Sequence, residues 1–187
     1  MKLWMQRHGY AGAYSSDPYV ERARGLTSEG RQTVAAVAQR MIQMGECPKL
    51  IICSPFQRTI DTARIMGTLL GIEVQQHPLL QTQFPISILL DQMLSKSERY
   101  FKRVLVCGHR DNIEPFLADN APKGSGATPA YSMGEVRRVE MDRKTFQCVP
   151  QMAITPDNVG RPLRYSLWRT SRSPTSRTRS AYRRSLP

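Results

Sequence analysis

Residues 50–63 read Leu-Ile-Ile-Cys-Ser-Pro-Phe-Gln-Arg-Thr-Ile-Asp-Thr-Ala, and this stretch decides the fold class. Leu50–Cys53 is an apolar run of strand length with no polar residue to turn toward water. A strand of that kind is buried on both faces, as strands of a parallel sheet are. Pro55 opens a helical stretch, because its fixed φ suits a first turn and its missing N–H has no partner to lose there. Thr62, Ala63, Ile65, Met66, Leu69 and Leu70 carry the pattern on at helical spacing until Gly71 closes it. A buried strand running through a short turn into an amphipathic helix is the unit of an α/β protein.

The same unit recurs on both sides. Lys2–Gln6 reads as a strand that stops at Arg7-His8-Gly9. Residues 10–25, with Gly12, Ser15, Ser16, Asp17 and Pro18, read as irregular. Thr27 starts an amphipathic helix through Val34, Val37, Ala38, Met41 and Ile42 that ends near Gly45. Further on, the pattern predicts a short strand over 72–75, a helix over 84–99, a buried strand over 103–107 and a short helix over 112–117. Residues 120–130 read as loop, and 136–141 with 145–149 alternate like a hairpin. The predicted architecture is a three-layer α/β sandwich, a mostly parallel central sheet flanked by helices.

The formal net charge of +12 divides unevenly along the chain. Residues 160–187 hold eight arginines and no acid, so residues 1–159 set nineteen basic against fifteen acidic side chains, a balance of only +4. Overall charge alone therefore does not make the body a nucleic-acid binder. After about residue 150, Pro, Ser, Thr and Arg displace apolar residues, and such a segment buries too little to offset its ordering entropy. The expected organisation is one domain over 1–150 and a basic, disordered tail over 151–187 that could touch a polyanion. Cys47, Cys53, Cys107 and Cys148 show neither a C-x-x-C pair nor zinc spacing, which fits free thiols in a reducing compartment. No apolar run approaches the roughly 20 residues of a membrane span. Met1–Trp4 enters a charged strand-like segment without a signal-like apolar region. A soluble, cytoplasmic protein without membrane contact is expected.

Three motifs each follow a predicted strand: Arg7-His8-Gly9, Ser54-Pro55-x-x-Arg58-Thr59-x-x-Thr62-Ala63, and Gly108-His109. Ligands of open α/β sheets bind at the carboxyl ends of the strands, so two histidines and two arginines should converge on one edge. Two guanidinium forks facing two imidazoles suit a tetrahedral dianion, and they can stabilise the charge of a transferring phosphoryl group. A neutral imidazole is also a competent nucleophile toward phosphorus.

Together with Gly25-Leu26-Thr27-x-Glu29-Gly30 and the opening Met-Lys-Leu-Trp-x-x-Arg-His-Gly, these motifs resemble the signature of the histidine phosphatase superfamily, the phosphoglycerate-mutase-like fold. The compact length points to its SixA-type phosphohistidine phosphatase branch, and the resemblance covers roughly residues 1–149. It implies that His8 is the nucleophile, that Arg7 and Arg58 hold the phosphoryl oxygens, and that His109 donates to the transferring group. Gly9 would let the backbone approach the phosphate, and Ser54, Thr59 and Thr62 would support the site from behind. No metal or other cofactor is implied. Tyr10 stands where many members carry Glu or Gln, and Arg110 follows Gly-His as a further variation. No residue stands out as the general acid of the mutase branch. Gln81 and Thr82 follow the third predicted strand, and Asp17, Glu21, Asp111 and Glu114 could each reach the edge of the site.

The expected function is a metal-independent phosphatase that works through phosphohistidine on His8 and removes phosphate from phosphohistidine on a protein. Only 50 residues separate Arg58 from His109, and predicted elements consume most of them, leaving little for a lid. A small-molecule phosphate ester is the alternative substrate, and a non-catalytic phosphate- or nucleic-acid-binding relative is the alternative outside enzymes.

Overall fold

Six strands form one sheet in this computed structural model, which describes residues 1–95, 102–122 and 130–159. They are β1 (Lys2–Arg7), β2 (Leu50–Cys53), β3 (Val74–Gln76), β4 (Arg103–Gly108), β5 (Val136–Met141) and β6 (Cys148–Ile154), in the order β3-β2-β4-β1-β5-β6. β3, β2, β4 and β1 run parallel, whereas β5 and then β6 add antiparallel. Five α-helices lie among the described residues: α1 (Pro18–Ala23), α2 (Ser28–Gln43), α3 (Gln57–Leu70), α4 (Ile86–Ser95) and α5 (Arg110–Asn120).

Strand alternation sorts the core into two layers. Leu3, Met5, Leu50, Ile52, Val104 and Val106 pack with α4 and α5 through Ile86, Leu89, Leu90, Ile113 and Phe116. Trp4, Ile51, Cys53, Leu105 and Cys107 face the other way, onto Val34, Val37, Ala38 and Met41 of α2 and Ala63 and Met66 of α3. The expected three-layer sandwich is the architecture observed. Among the described residues, no helix is long and apolar enough to cross a membrane.

The elements begin and end where local chemistry directs. The Thr27 hydroxyl accepts from Gly30 N–H at the start of α2, and Gly71 closes α3 with φ +67°, a left-handed conformation that L side chains resist.

Five expectations are corrected. Residues 10–25 are not irregular throughout: Asp17 caps α1 by accepting from the Tyr19 and Val20 N–H groups, and Pro18 occupies its first turn. β3 begins two residues later than expected, and α5 reaches from Arg110 to Asn120 rather than over 112–117 alone. The second hairpin strand starts at Cys148, because the Asp142 carboxylate ties the Lys144 and Thr145 N–H groups into a turn first. It then runs to Ile154, so the boundary expected at residue 150 falls inside a strand whose Met152 and Ile154 are core. The remainder of the expected tail, 160–187, lies outside the described residues, as do 96–99 of the expected helix and most of the 120–130 loop.

Candidate active site

Parallel register is what brings the two histidines together. Arg7 pairs with Gly108 across β1 and β4, so His8 and His109, one residue beyond, leave the sheet side by side. Their ring centroids stand 5.4 Å apart. β2 ends alongside: Cys53 pairs with Cys107, and Ser54 N–H donates to the Cys107 carbonyl. The turn after β2 leads into α3, whose first turn delivers Arg58 between the two imidazoles. Arg58 Nε donates to His8 Nε2 at 3.2 Å, and Arg58 Nη2 donates to His109 Nδ1 at 3.3 Å. All three side chains are buried.

These contacts set the tautomers. A carbonyl can only accept, so His8 Nδ1, 2.8 Å from the Gly9 oxygen, carries the ring proton and leaves a lone pair on Nε2. A guanidinium can only donate, so His109 Nδ1 is unprotonated and Nε2–H donates to Ser54 Oγ at 2.9 Å. Burial, reinforced by Arg58 and Arg7, pushes His8 down to about 4. Burial and then Arg58 push His109 down to about 3. Both imidazoles are neutral at pH 7.

The supporting residues hold the three motifs in register. Thr62 Oγ1 accepts from Gly9 N–H and donates to the Arg58 carbonyl, linking the first loop to α3. Thr59 Oγ1 donates to the Ser54 carbonyl, and the His109 N–H donates to the Asn112 side chain. Phe56 packs against both partners, its ring 4.7 Å from the Arg58 guanidinium carbon and edge-on to His109 at 5.0 Å.

Arg7 takes a different course from the other three. Its Nη1 donates to the Tyr131 carbonyl at 2.5 Å, no direct bond to His8, Arg58 or His109 is formed among the described residues, and its buried Nε lacks a hydrogen-bond partner. Burial, then Arg110, pulls its guanidinium below the ordinary value. Gly9 has a packing role as well. Both its backbone polar groups are engaged, by Thr62 and His8, and a Cβ there would meet Val34 Cγ2 at 2.8 Å and the Gly30 oxygen at 3.0 Å. Glycine at this position serves close packing onto α2.

The four candidate acids separate clearly. Asp17 caps α1, Asp111 is exposed beside Arg110, and Glu114 accepts from the Tyr131 N–H. Glu21 alone touches the cluster, 3.1 Å from Arg58 Nη1. Hydrogen bonding from Arg24 holds its carboxyl down at about 2, so it stays ionised. Glu21, Phe56 and Asn112 are site residues for which the motifs carried no specific signal. Among the described residues no group of three or more His, Cys, Asp or Glu side chains is arranged to hold a metal ion. Asn112 also borders a cavity of about 250 Å³ lined by Phe84, Ile86, Phe116 and Asp119.

Residues 3–83 match the model of the histidine phosphatase superfamily (branch 1). The protein histidine phosphatase SixA, solved with tungstate, superposes with a TM-score of 0.73 at 19% identity, over 85% of this chain and 99% of that one. A candidate phosphohistidine phosphatase SixA from Agrobacterium tumefaciens gives 0.69 at 18% identity, over 83% of this chain and 97% of that one. A mycobacterial glucosyl-3-phosphoglycerate phosphatase is more distant, at 0.55 and 17%, over 80% of this chain and 96% of that one. No curated protein sequence gives a significant match. The chain thus has a SixA-like fold, its residues 3–83 match the model of the histidine phosphatase superfamily, and its Arg-His-Gly, Ser-Pro-x-x-Arg-Thr and Gly-His motifs stand at adjacent strand ends.

Proposed function

We propose that the protein is a phosphatase that works through phosphohistidine on His8, and that its substrate is phosphohistidine carried on another protein. The observation that carries this reading is the His8 tautomer: Nδ1–H is held by the Gly9 carbonyl, and the Nε2 lone pair lies against Arg58 beside His109. In the first step, Nε2 attacks phosphorus, the new N–P bond forms, and the bond to the leaving group breaks. The proton stays on Nδ1, and the Gly9 carbonyl that accepts from it stabilises the positive charge the ring acquires. In the second step, water attacks, the N–P bond breaks, and inorganic phosphate leaves with the water's oxygen. Arg58 stabilises the charge spread over the equatorial oxygens, and His109 would add a second donor by taking up a proton on Nδ1 as the dianion binds. The unpartnered Arg7 Nε would gain an acceptor from a bound phosphoryl group. α3 and α5 both begin at the site, and their N-terminal dipoles favour an anion.

The acids favour the substrate class. Glu21 is ionised and Glu114 and Asp17 are committed elsewhere, so among the described residues no buried carboxylic acid stands ready to protonate an alkoxide. Imidazole protonated on its far nitrogen leaves as a neutral molecule and needs no such donor. The arginines beyond residue 160 would add affinity for acidic partners or polyanions.

The test uses the full chain with a phosphohistidine-bearing protein, an aryl phosphate and a panel of sugar phosphates. Preferred turnover of phosphohistidine is expected, and preference for the sugar phosphates would replace the substrate. Acid quench should trap a phosphoenzyme that is labile to acid and stable to base, and that is absent in His8→Ala. Phosphate binding without hydrolysis of any of these compounds would overturn the enzyme reading.

A further inference from the structure

Arg58 has five N–H donors, and their partners divide by edge. Nε and Nη2 face His8 and His109, as described. Nη1 turns the other way and meets one residue twice, donating to the Glu21 carbonyl at 3.0 Å and forming an ion pair with Glu21 Oε1 at 3.1 Å. Glu21 is itself clamped. Arg24 binds its carboxylate with both Nη2 (2.6 Å) and Nε (2.8 Å), and Ser15 N–H adds a bond at 3.1 Å. Arg24 Nη1 spans to the Ala11 and Gly12 carbonyls, so the clamp is anchored on the loop that follows Arg7-His8-Gly9. The carboxylate of a six-residue helix thus meets two guanidinium groups, the buried Arg58 and the half-buried Arg24, and a backbone carbonyl doubles its grip on the first.

We infer that Glu21 is a positioning residue: by holding Nη1 from side chain and backbone together, it orients the Arg58 fork so that the Nε–Nη2 edge is presented to a phosphoryl group between His8 and His109. This rests on the phosphatase reading of the pocket, and it assigns α1 a task in the chemistry. The geometry separates positioning from plain charge balance. Glu21 cancels one of two adjacent positive charges, so if balance were its whole role, neutralising it would make the pocket more positive and tighten an anion. A positioning role predicts the opposite, because a fork free to turn loses its bidentate geometry.

The experiment titrates inorganic phosphate into wild type, Glu21→Gln, Glu21→Asp, Arg58→Ala and Glu21→Gln/Arg58→Ala, with a thermal melt of each. Glu21→Gln should weaken phosphate by about tenfold or more, the scale of a lost charge-assisted hydrogen bond. In the Arg58→Ala background the same change should add less than about twofold, since residues acting through one group are not additive. Glu21→Asp keeps the charge but is one methylene too short to reach both guanidinium groups, so it too should weaken phosphate. It provides the second variant should Glu21→Gln fail to fold. Unchanged or tighter phosphate in either single variant, or an equal loss with and without Arg58, overturns the inference. Phosphate is read by binding alone, so a wild type that binds phosphate but turns nothing over would sink the phosphatase reading and still decide the role of Glu21.

Discussion

Two neutral histidines and one arginine are buried in mutual contact, and in the proposed mechanism each contributes differently to turnover. His8→Ala removes the attacking lone pair and should lower kcat by about 10³-fold or more while the protein stays folded, as measured by steady-state kinetics and circular dichroism. Arg58→Ala and His109→Ala should each cost about 10²-fold, as lost stabilisation of transition-state charge, and the paired losses should fall short of their product. Unimpaired turnover in His8→Ala would refute the mechanism. The same burial makes stability depend on pH. An unfolded histidine takes a proton near 6.5, whereas folded His8 and His109 hold out to about 4 and about 3. Their contribution is therefore complete above pH 6.5 and is lost as pH falls from 6.5 toward 3. Glu21, held at about 2 against an ordinary 4.5, adds a loss below pH 4.5. Urea melts between pH 7.5 and 4.5 should show falling stability, with a flatter profile in His8→Gln/His109→Gln. Stability that rises toward pH 5 would contradict these shifts.

The helices and loops around the site depend on close backbone approach. Gly30, in the first turn of α2, faces the Tyr10 backbone so closely that a Cβ would stand 2.1 Å from the Tyr10 oxygen. That oxygen also accepts from the Thr27 N–H at 3.0 Å, so the loop after His8 is locked onto the start of α2. Alanine in place of Gly30 has about 1 kcal/mol of better helix propensity. Overpacking against an immovable backbone costs about 1–3 kcal/mol, and at this separation the clash wins. Gly30→Ala should lower the urea midpoint and reduce activity with it, because the displaced loop carries His8. A midpoint at or above wild type would show that the loop yields easily. Half of this was legible in the sequence. Thr27 with Gly30 marked the helix start, but nothing local revealed that Gly30 and Gly9 are small for one reason, the meeting of two segments twenty residues apart.

At the scale of the molecule, charge is segregated. The eight arginines beyond residue 160 carry no acid among them, while residues 1–159 are close to balanced. Deleting 160–187 keeps every strand among the described residues, every motif residue and the short 3₁₀ turn at Pro156–Asn158 that follows β6. The truncated protein should retain its melting temperature and its activity on small phosphates. Losses should be confined to acidic partners or polyanions and should fade as salt rises, because exposed charges are screened over about 8 to 10 Å near physiological ionic strength. A fall of many degrees in melting temperature would show that the deleted segment contributes to the core.

What the sequence determined by itself was everything carried by neighbours along the chain. Apolar runs of strand length, Pro55 before α3 and Gly71 after it, and three motifs at strand ends were enough to read the layered fold and four of the polar residues at its edge. Only the tertiary structure decided which strand ends meet. β4 inserts between β2 and β1, and that order sets His8 against His109 and lets Ser54 accept the hydrogen bond from His109 Nε2–H. It decided as well that Glu21 is the acid at the site, that Gly9 is small for packing, and that the last strand runs on to Ile154. The physical reason is common to all of them. Local propensity acts over three or four residues, whereas a tautomer, an ion pair or a glycine's clearance is settled by groups brought from tens of residues away.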